Sequence, residues 1–466
     1  MLADFQAAGA CGGLKVPPAW IVRWLVYSSV LATAVTCGLC VALCILGLVN
    51  LHALVMQLLW LRPRSRPELA TSPGDGEAWP LISVLIPAFN EERVIEATLR
   101  AVLAADYPRL QVIVVDDGSR DRTVQRVEAI ARHNPCIELL ARPQNEGKAA
   151  ALNAGIAAAR SRFLVVLDAD TVCERDFLKL IVAPLLHGQA DAVAGNVRVG
   201  NRPRRPLVAT FQSIEYISVL NVTRLLQGLS NDITTIPGAA GAMLRQAVQT
   251  AGAYSSRTRA EDTDMTLCLT REGHRIVYQP RAIVRTEVPS TWRTLLHQRL
   301  RWIHGNMQCI AFHAWRSRRR WRFYGLPVFV YENVWKPPLE LCRALTPLLV
   351  LVGAASPVAL SGYLALALLN WSIVVLSYRI EQESPRELLL APVQYAVWPF
   401  LIIFPYYLAI WHFLRRNQVP WRGSIHPIRA AASAATRPGG GSEPPHLRIA
   451  EAHLPASTKS AAESGE

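Results

Sequence analysis

Four acidic patches punctuate the chain: Phe89-Asn90-Glu91, Asp116-Asp117-Gly118-Ser119, Asp168-Ala169-Asp170 and Glu261-Asp262-Thr263-Asp264. Taken singly each has an ordinary explanation, since acidic residues cap helices and Asp-Gly-Ser is a common turn. Brought together, carboxylates repel one another unless a cation is present. Hard oxygen ligands suit Mg²⁺ or Mn²⁺, and these ions bridge phosphate oxygens. The chemistry suggested is the handling of a nucleoside diphosphate. Lys148 can supply charge to such a pocket or stand on the surface. Gly147-Lys148 is not a phosphate-binding P-loop, because Arg142 stands where that motif needs glycine and Ala149 where it needs Ser or Thr. Further on, Gln298-Arg299-Leu300-Arg301-Trp302 offers an amide for hydroxyls, a guanidinium for a diphosphate and an indole for a pyranose face. The same segment also reads as an exposed basic helix, and Glu261, Asp262 and Asp264 also fit a helix's first turn, where the dipole favours acids.

These patches need elements to position them. LISVLIP, LQVIVVDD, CIELLARP, FLVVLDAD and ADAVAGNVRV are short, apolar and β-branched, and helical periodicity follows the first four in NEERVIEATLRAVLAADYP, DRTVQRVEAIARH, KAAALNAGIAAAR and ERDFLKLIVAPLL. Strands alternating with helices imply a mainly parallel sheet covered on both faces, whose ligands bind at the strands' C-terminal ends. The first three patches stand at those ends. The small-residue run IPGAAGAMLR, residues 236–245, is expected where backbone approaches a ligand.

Flanking this region the chain is of a different kind. Of 466 residues, 51% are hydrophobic and 18% charged, too apolar for an ordinary soluble enzyme or a disordered chain. The excess lies in runs free of Asp, Glu, Lys and Arg: 38 residues between Arg23 and Arg62, 35 from Ala344 to Tyr378, and 27 from Leu388 to Leu414. About 20 apolar residues span a bilayer, so the first run is one long tilted span or two, and at least two crossings follow the middle of the chain. The first run is too long for a signal peptide.

The net charge of +14 clusters beside these runs, at Arg62, Arg64 and Arg66, at RSRRRWR (316–322), and at Arg415 and Arg416. That placement marks the cytoplasmic side and argues against nucleic acid; it suits lipid headgroups, and RSRRRWR equally fits a solvated loop or helix face. The cysteines show no paired zinc spacing, and three of the nine lie inside the first run. A transporter would explain the spans and leave the acidic strand ends unexplained.

In this order, PAFNE, DDGS, DAD, ED and QxxRW followed by membrane spans resemble the processive membrane-embedded family 2 glycosyltransferases, which include cellulose, chitin and hyaluronan synthases. GKAAALNAGIAAAR, LDADTVCERDFL, GNVRV, QSIEYISVLNVTRLLQ and PGAAGAMLR extend the likeness toward the bacterial poly-β-1,6-N-acetylglucosamine synthases. The resemblance covers residues 80–345. It implies an α/β fold of the glycosyltransferase A type, a mixed, mainly parallel sheet with transmembrane helices on both sides. It implies that Phe89, Glu91, Asp116, Asp117, Lys148 and Asp168 hold the nucleotide and that Asp168 and Asp170 hold Mg²⁺ or Mn²⁺. Asp262 is then the base, beside Glu261, with Gln298, Arg301 and Trp302 at the acceptor and diphosphate. The family usually has Tyr where Phe89 stands and Thr where Ala260 stands.

The expected activity is inverting transfer of a hexose, N-acetylglucosamine foremost, from a UDP-sugar to a growing β-linked polysaccharide, coupled to export across the plasma membrane; the alternative is a non-processive enzyme acting on a lipid or short glycan. The expected partners are a UDP-sugar, the polysaccharide, membrane lipids and a small membrane accessory subunit, with no nucleic acid. The expected divisions are a membrane region at 1–66, a cytoplasmic transferase domain at 67–290, QxxRW and interfacial helices at 291–343, a second membrane region at 344–414, and a disordered tail at 415–466. The cyclic-di-GMP-binding barrel of bacterial cellulose synthases is not expected in that tail.

Overall fold

The five apolar runs become strands β1 (Ile82–Ala88), β2 (Leu110–Asp116), β3 (Ile137–Ala141), β4 (Phe163–Val166) and β6 (Ala192–Val199) in a computed structural model of the chain. The described residues are 19–62, 68–72, 78–201, 206–314 and 325–415. The basic residues Arg64, Arg66, 316–322 and Arg416, and nearly all of the tail, lie outside them. Three further strands complete an eight-stranded sheet: β5 (Thr171–Cys173), β7 (Gly241–Leu244) and β8 (Ile276–Thr286), in the order β3-β2-β1-β4-β7-β6-β8-β5. β1 pairs in parallel with β2 and β4, β2 with β3, and β6 with β8, whereas β7 runs antiparallel between β4 and β6. The sheet is mixed and mostly parallel. The small-residue run is thus partly a strand, Gly241–Leu244, and its preceding loop lies beside the end of β4, since Gly241 pairs with Val166.

Alternate residues of each strand feed two cores, one per face. Val84 and Ile86 pack with Ile95, Leu99, Val102, Phe177 and Ile181 on one face. Leu85, Ile113 and Val115 pack with Leu152, Ile156, Met265 and Leu269 on the other. Because β1 lies between β2 and β4, its C-terminal end brings Glu91 between the Asp116-Asp117 and Asp168-Asp170 ends.

The first apolar run is a single helix, Ala19–Trp60, of 42 residues. At 1.5 Å per residue it is roughly 63 Å long, twice a bilayer's hydrocarbon thickness. Among the described residues, three helical segments are long and apolar enough to cross a membrane: Val26–Trp60, Pro357–Glu381 and Pro385–Leu414. Apolar side chains such as Leu48, Leu368 and Phe404 stand exposed on them, as lipid contact requires. The second uncharged run is broken at Gly353 (φ +74°) into the helices Lys336–Leu351 and Pro357–Glu381, so a boundary at 343/344 falls inside a helix.

The sheet is locked to the apolar helix Pro357–Glu381 by a buried polar cluster. Arg198 of β6 pairs with Glu381 (2.9 Å) and Glu383 (2.9 Å) at the end of the helix Pro357–Glu381, and Asn196 donates to the same Glu381 carboxylate (2.5 Å).

Candidate active site

Phe89, Glu91, Asp117, Lys148, Asp168, Asp170, Glu261, Asp262, Gln298, Arg301 and Trp302 line one cavity. Asp116 does not. Its buried carboxyl accepts the Ser119 amide N–H (3.0 Å) and so shapes the Asp-Gly-Ser turn; burial raises its pKa above the usual carboxylate range. Gly118 is required at that turn: its φ is +74°, and a Cβ would stand 2.8 Å from the Gln144 carbonyl carbon. Asp117 points the other way. It accepts from Arg142 Nη1 (2.6 Å) and from the amides of Glu146 (3.2 Å) and Gly147 (2.7 Å), which pins the loop leading into the helix Lys148–Ala158.

Lys148 is no surface lysine. Its Nζ lies 2.5 Å from Asp168 Oδ1 and 3.4 Å from Glu261 Oε1, so it ties the end of β4 to the helix Glu261–Glu272. Burial alone would lower its pKa, but the Asp168, Glu261 and Asp262 carboxylates outweigh burial and hold it well above the usual lysine value. Asp170 has the opposite balance. Burial, then the charges of Asp168 and Glu91, push its carboxyl up to about 7, against single hydroxyl donors from Thr286 (3.1 Å) and Thr171 (3.4 Å). A half-buried carboxyl with acidic neighbours and hard oxygen donors carries the excess negative charge that a divalent cation neutralises, so these residues fit Mg²⁺ or Mn²⁺.

A second group of ligand types, Asp264, Cys268 and His313, has donor atoms within 4.8 Å of one another. The Arg257 guanidinium already supplies its cation, donating to Asp264 Oδ2 (2.8 Å) and to Cys268 Sγ (2.9 Å).

Glu261, Asp262 and Asp264 do stand in the first turn of a helix, but only Glu261 and Asp262 reach the cavity. Burial and then Glu261 raise the pKa of Asp262. The motif Gln298–Trp302 lies in the helix Trp292–Ala314, which is not simply an exposed basic helix: Arg299 is 6% exposed and Leu300 is buried. Arg299 pairs with Glu215 (2.5 Å), and its guanidinium lies 4.6 Å from the Trp302 ring centre and 5.8 Å from that of Trp398. Arg301 lines the cavity with no carboxylate paired to it among the described residues. Arg299, Glu215, Thr286 and Arg142 make contacts at or beside the cavity residues that the motifs did not mark. Their roles depend on partners 25 to 116 residues distant.

The cavity measures about 1440 Å³, more than one small ligand needs, and continues from the carboxylates in among the long apolar helices. Leu46 and Val49 of the first helix, Asn370, Tyr395, Trp398 and His412 line its far part. Two π-helical segments, Tyr216–Asn221 and Tyr331–Trp335, border it. Trp398 and Tyr395 are therefore lining residues, whereas Trp371 is not and is 47% exposed. Gln298 Oε1, Tyr331 Oη, Arg343 Nη1 and Tyr395 Oη are buried without a hydrogen-bond partner among the described residues.

Residues 83–252 match the glycosyl transferase family 2 sequence model. Over these residues the chain is similar to the family 2 glycosyltransferases. The matched residues include Glu91, Asp117, Lys148, Asp168 and Asp170 of the cavity and end before Asp262. The chain is 35% identical over 237 residues to a probable glycosyltransferase, YdaM, of Bacillus subtilis (strain 168), covering 50% of this chain and 56% of that protein. It is 31% identical over 254 residues to a poly-β-1,6-N-acetyl-D-glucosamine synthase of Staphylococcus aureus (strain COL), covering 54% of this chain and 61% of that one. The matches thus span little more than half the length of these curated relatives. In fold, the chain is similar to a Pyrobaculum calidifontis mannosyltransferase solved with GDP-mannose and Mn²⁺. That likeness has a TM-score of 0.54 at 22% identity and covers 82% of this chain and all of the other. The sheet is of the glycosyltransferase A type.

Proposed function

We propose that the protein is a membrane-embedded, inverting glycosyltransferase. It transfers a hexose, N-acetylglucosamine foremost, from a UDP-sugar to a growing β-linked polysaccharide and passes the product into the membrane region. One observation carries this reading: a single cavity runs from the carboxylates at the sheet edge to the membrane helices. The Staphylococcus aureus synthase supports the choice of sugar.

In this reading Phe89, Glu91 and Asp117 hold the nucleoside, and Lys148 keeps Asp168 in place beside the diphosphate. A divalent cation held by Asp168 and Asp170 would neutralise charge on the departing UDP. Arg301, which no carboxylate pairs among the described residues, supplies fixed positive charge to the same leaving group. Asp262 takes the proton of the acceptor hydroxyl, and its raised pKa makes it a stronger base than an ordinary aspartate. The acceptor oxygen bonds to the anomeric carbon as the bond to UDP breaks on the opposite face, so an α-linked donor gives a β-linked product. The acceptor sugar stacks on Trp302, and the unpartnered polar atoms of Gln298, Tyr331, Arg343 and Tyr395 meet hydroxyls of the chain beyond it. The spans and the arginines beside them support a multi-pass plasma-membrane protein with the domain in the cytoplasm.

The test is UDP release by the purified protein in liposomes with Mg²⁺ or Mn²⁺, offering UDP-N-acetylglucosamine, UDP-glucose, UDP-glucuronate and UDP-galactose separately. Release with one donor and a long product sensitive to a β-glycosidase is the expected result. Short or lipid-linked product would replace the polymerase by a non-processive transferase, and no release with any donor overturns the reading.

A further inference from the structure

The turn that bears Asp262 is gripped along one face of the helix that bears the Gln298–Trp302 motif. Gly305, Gln308, Cys309, Phe312 and His313 recur at helical spacing, and each meets the segment 257–264. A Cβ on Gly305 would lie 2.7 Å from the Ala260 amide nitrogen, so only glycine permits this approach. Gln308 Oε1 accepts the Arg259 amide N–H (2.9 Å), and Cys309 Sγ reaches the Ala260 carbonyl at 3.8 Å. The Arg257 guanidinium lies 4.2 Å from the centre of the Phe312 ring. At the end of this face, His313 Nε2 lies 2.9 Å from Asp264 Oδ1, with both side chains 3% exposed or less. Asp264 is in turn held by Arg257 Nε (3.0 Å).

We propose that His313 is a positioning residue for the transfer reaction: through Asp264 and Arg257 it fixes the first turn of the helix Glu261–Glu272, and so the direction in which Asp262 faces the acceptor. The inference rests on Asp262 being the base. Asp264 follows Asp262 by two residues and its carboxylate is absent from the cavity wall, so it cannot serve the acceptor directly. It acts as a peg instead. A carboxylate held by a guanidinium on one side and an imidazole on the other cannot rotate without leaving a buried charge unpaired. The helix that presents Trp302 to the acceptor sugar is thereby joined to the turn that presents the base to its hydroxyl, and the two groups keep one spacing.

The experiment compares His313→Ala, His313→Gln and Asp264→Asn with wild type in the full-length protein in liposomes, reading kcat, donor KM, UDP affinity by calorimetry, and the pH profile of kcat. For His313→Ala, kcat is expected to fall on the order of 10- to 100-fold, as for a misplaced base, with donor KM and UDP affinity within about twofold. The acidic limb of the kcat profile is expected to move to lower pH as Asp262, which faces Glu261, Lys148 and Asp168, loses its fixed burial. His313→Gln, whose amide can still donate to Asp264, is expected to recover most of kcat. An unchanged kcat in His313→Ala overturns the proposal. So does parallel loss of kcat and UDP binding in proportion to folded protein, which is the mark of a structural role only. A tightly bound metal in wild type that His313→Ala loses would also overturn it. Should His313→Ala fail to fold, Asp264→Asn and His313→Gln carry the same split between kcat and UDP binding. Asp262→Asn is the control: if it keeps full turnover, the base assignment has failed rather than the peg.

Discussion

Gly238 lies so close to Lys148 that a Cβ on it would stand 2.6 Å from the lysine Nζ. The small-residue loop before β7 therefore leaves the space in which Lys148 bridges Asp168 and Glu261. Gly238→Ala displaces the flexible end of a lysine rather than backbone, so the fold should survive. Losing a charge-assisted contact at this level should weaken UDP binding about tenfold, with the thermal midpoint nearly unchanged. Calorimetry with UDP and a melting curve on the same sample separate the two effects. Wild-type affinity would mean that Lys148 does not organise the nucleotide end of the site.

Asp170 makes the metal-free protein less stable as pH rises. Its carboxyl is pushed up to about 7 from 3.8, so between those values the folded chain keeps a proton that the unfolded chain has released. Stability then falls with rising pH across about 4 to 7, by on the order of 4 kcal/mol from this group, and levels off above. Asp170→Asn removes this pH dependence. In EDTA, the melting difference between wild type and Asp170→Asn should grow in the variant's favour across that window. Mn²⁺ should restore wild type above about pH 7 and do little for the variant. Parallel curves for the two proteins would contradict the assignment.

The parts of this site that chain order brings together were legible in the sequence. β1, β2 and β4 are apolar runs with acids at their ends, and a parallel sheet can only gather such ends at one edge. Gly241–Leu244 hid as a strand because none of its four residues is β-branched and its antiparallel partners β4 and β6 lie far upstream in the chain. The role of Arg299 was invisible for another reason. Within Gln298–Trp302 it reads as one more basic residue, and only the approach of Glu215 and Trp398 from other helices buries it. Whether the first apolar run makes one span or two was equally undetermined by composition, and the chain solves it with one continuous helix.

Arg299 and Glu215 offer a double-mutant cycle. Each is at most 13% exposed in its side chain, so removing one leaves the other buried and unpaired. Arg299→Met or Glu215→Leu alone should cost about 3–5 kcal/mol, whereas the double substitution should be markedly milder than the sum. Activity should not return in the double variant, because Trp302 and Trp398 have lost the cation that fixes their planes. Denaturation in detergent gives the stability half of this prediction and UDP release the other. Additive losses would show that the pair does not act as a unit.

Arg198 joins the sheet to the apolar helix Pro357–Glu381, and the consequence should be felt at Asp170. Arg285 of β8, opposite Arg198 in the β6–β8 register, reaches Glu383 (3.5 Å) and Glu174 (3.2 Å), and the next residue, Thr286, holds the Asp170 carboxyl. Arg198→Met leaves Glu381 buried with only the Asn196 amide and releases Glu383 to Arg285 alone. The end of β8 should then shift, and with it the hydroxyl that supports Asp170. The expected result is a loss of thermal stability of several degrees together with weaker stimulation by Mn²⁺, at a donor affinity close to wild type. Limited proteolysis should cut near Gln382 in the variant and not in wild type. If stability falls while Mn²⁺ stimulation is untouched, the clamp anchors the membrane helix without reaching the site.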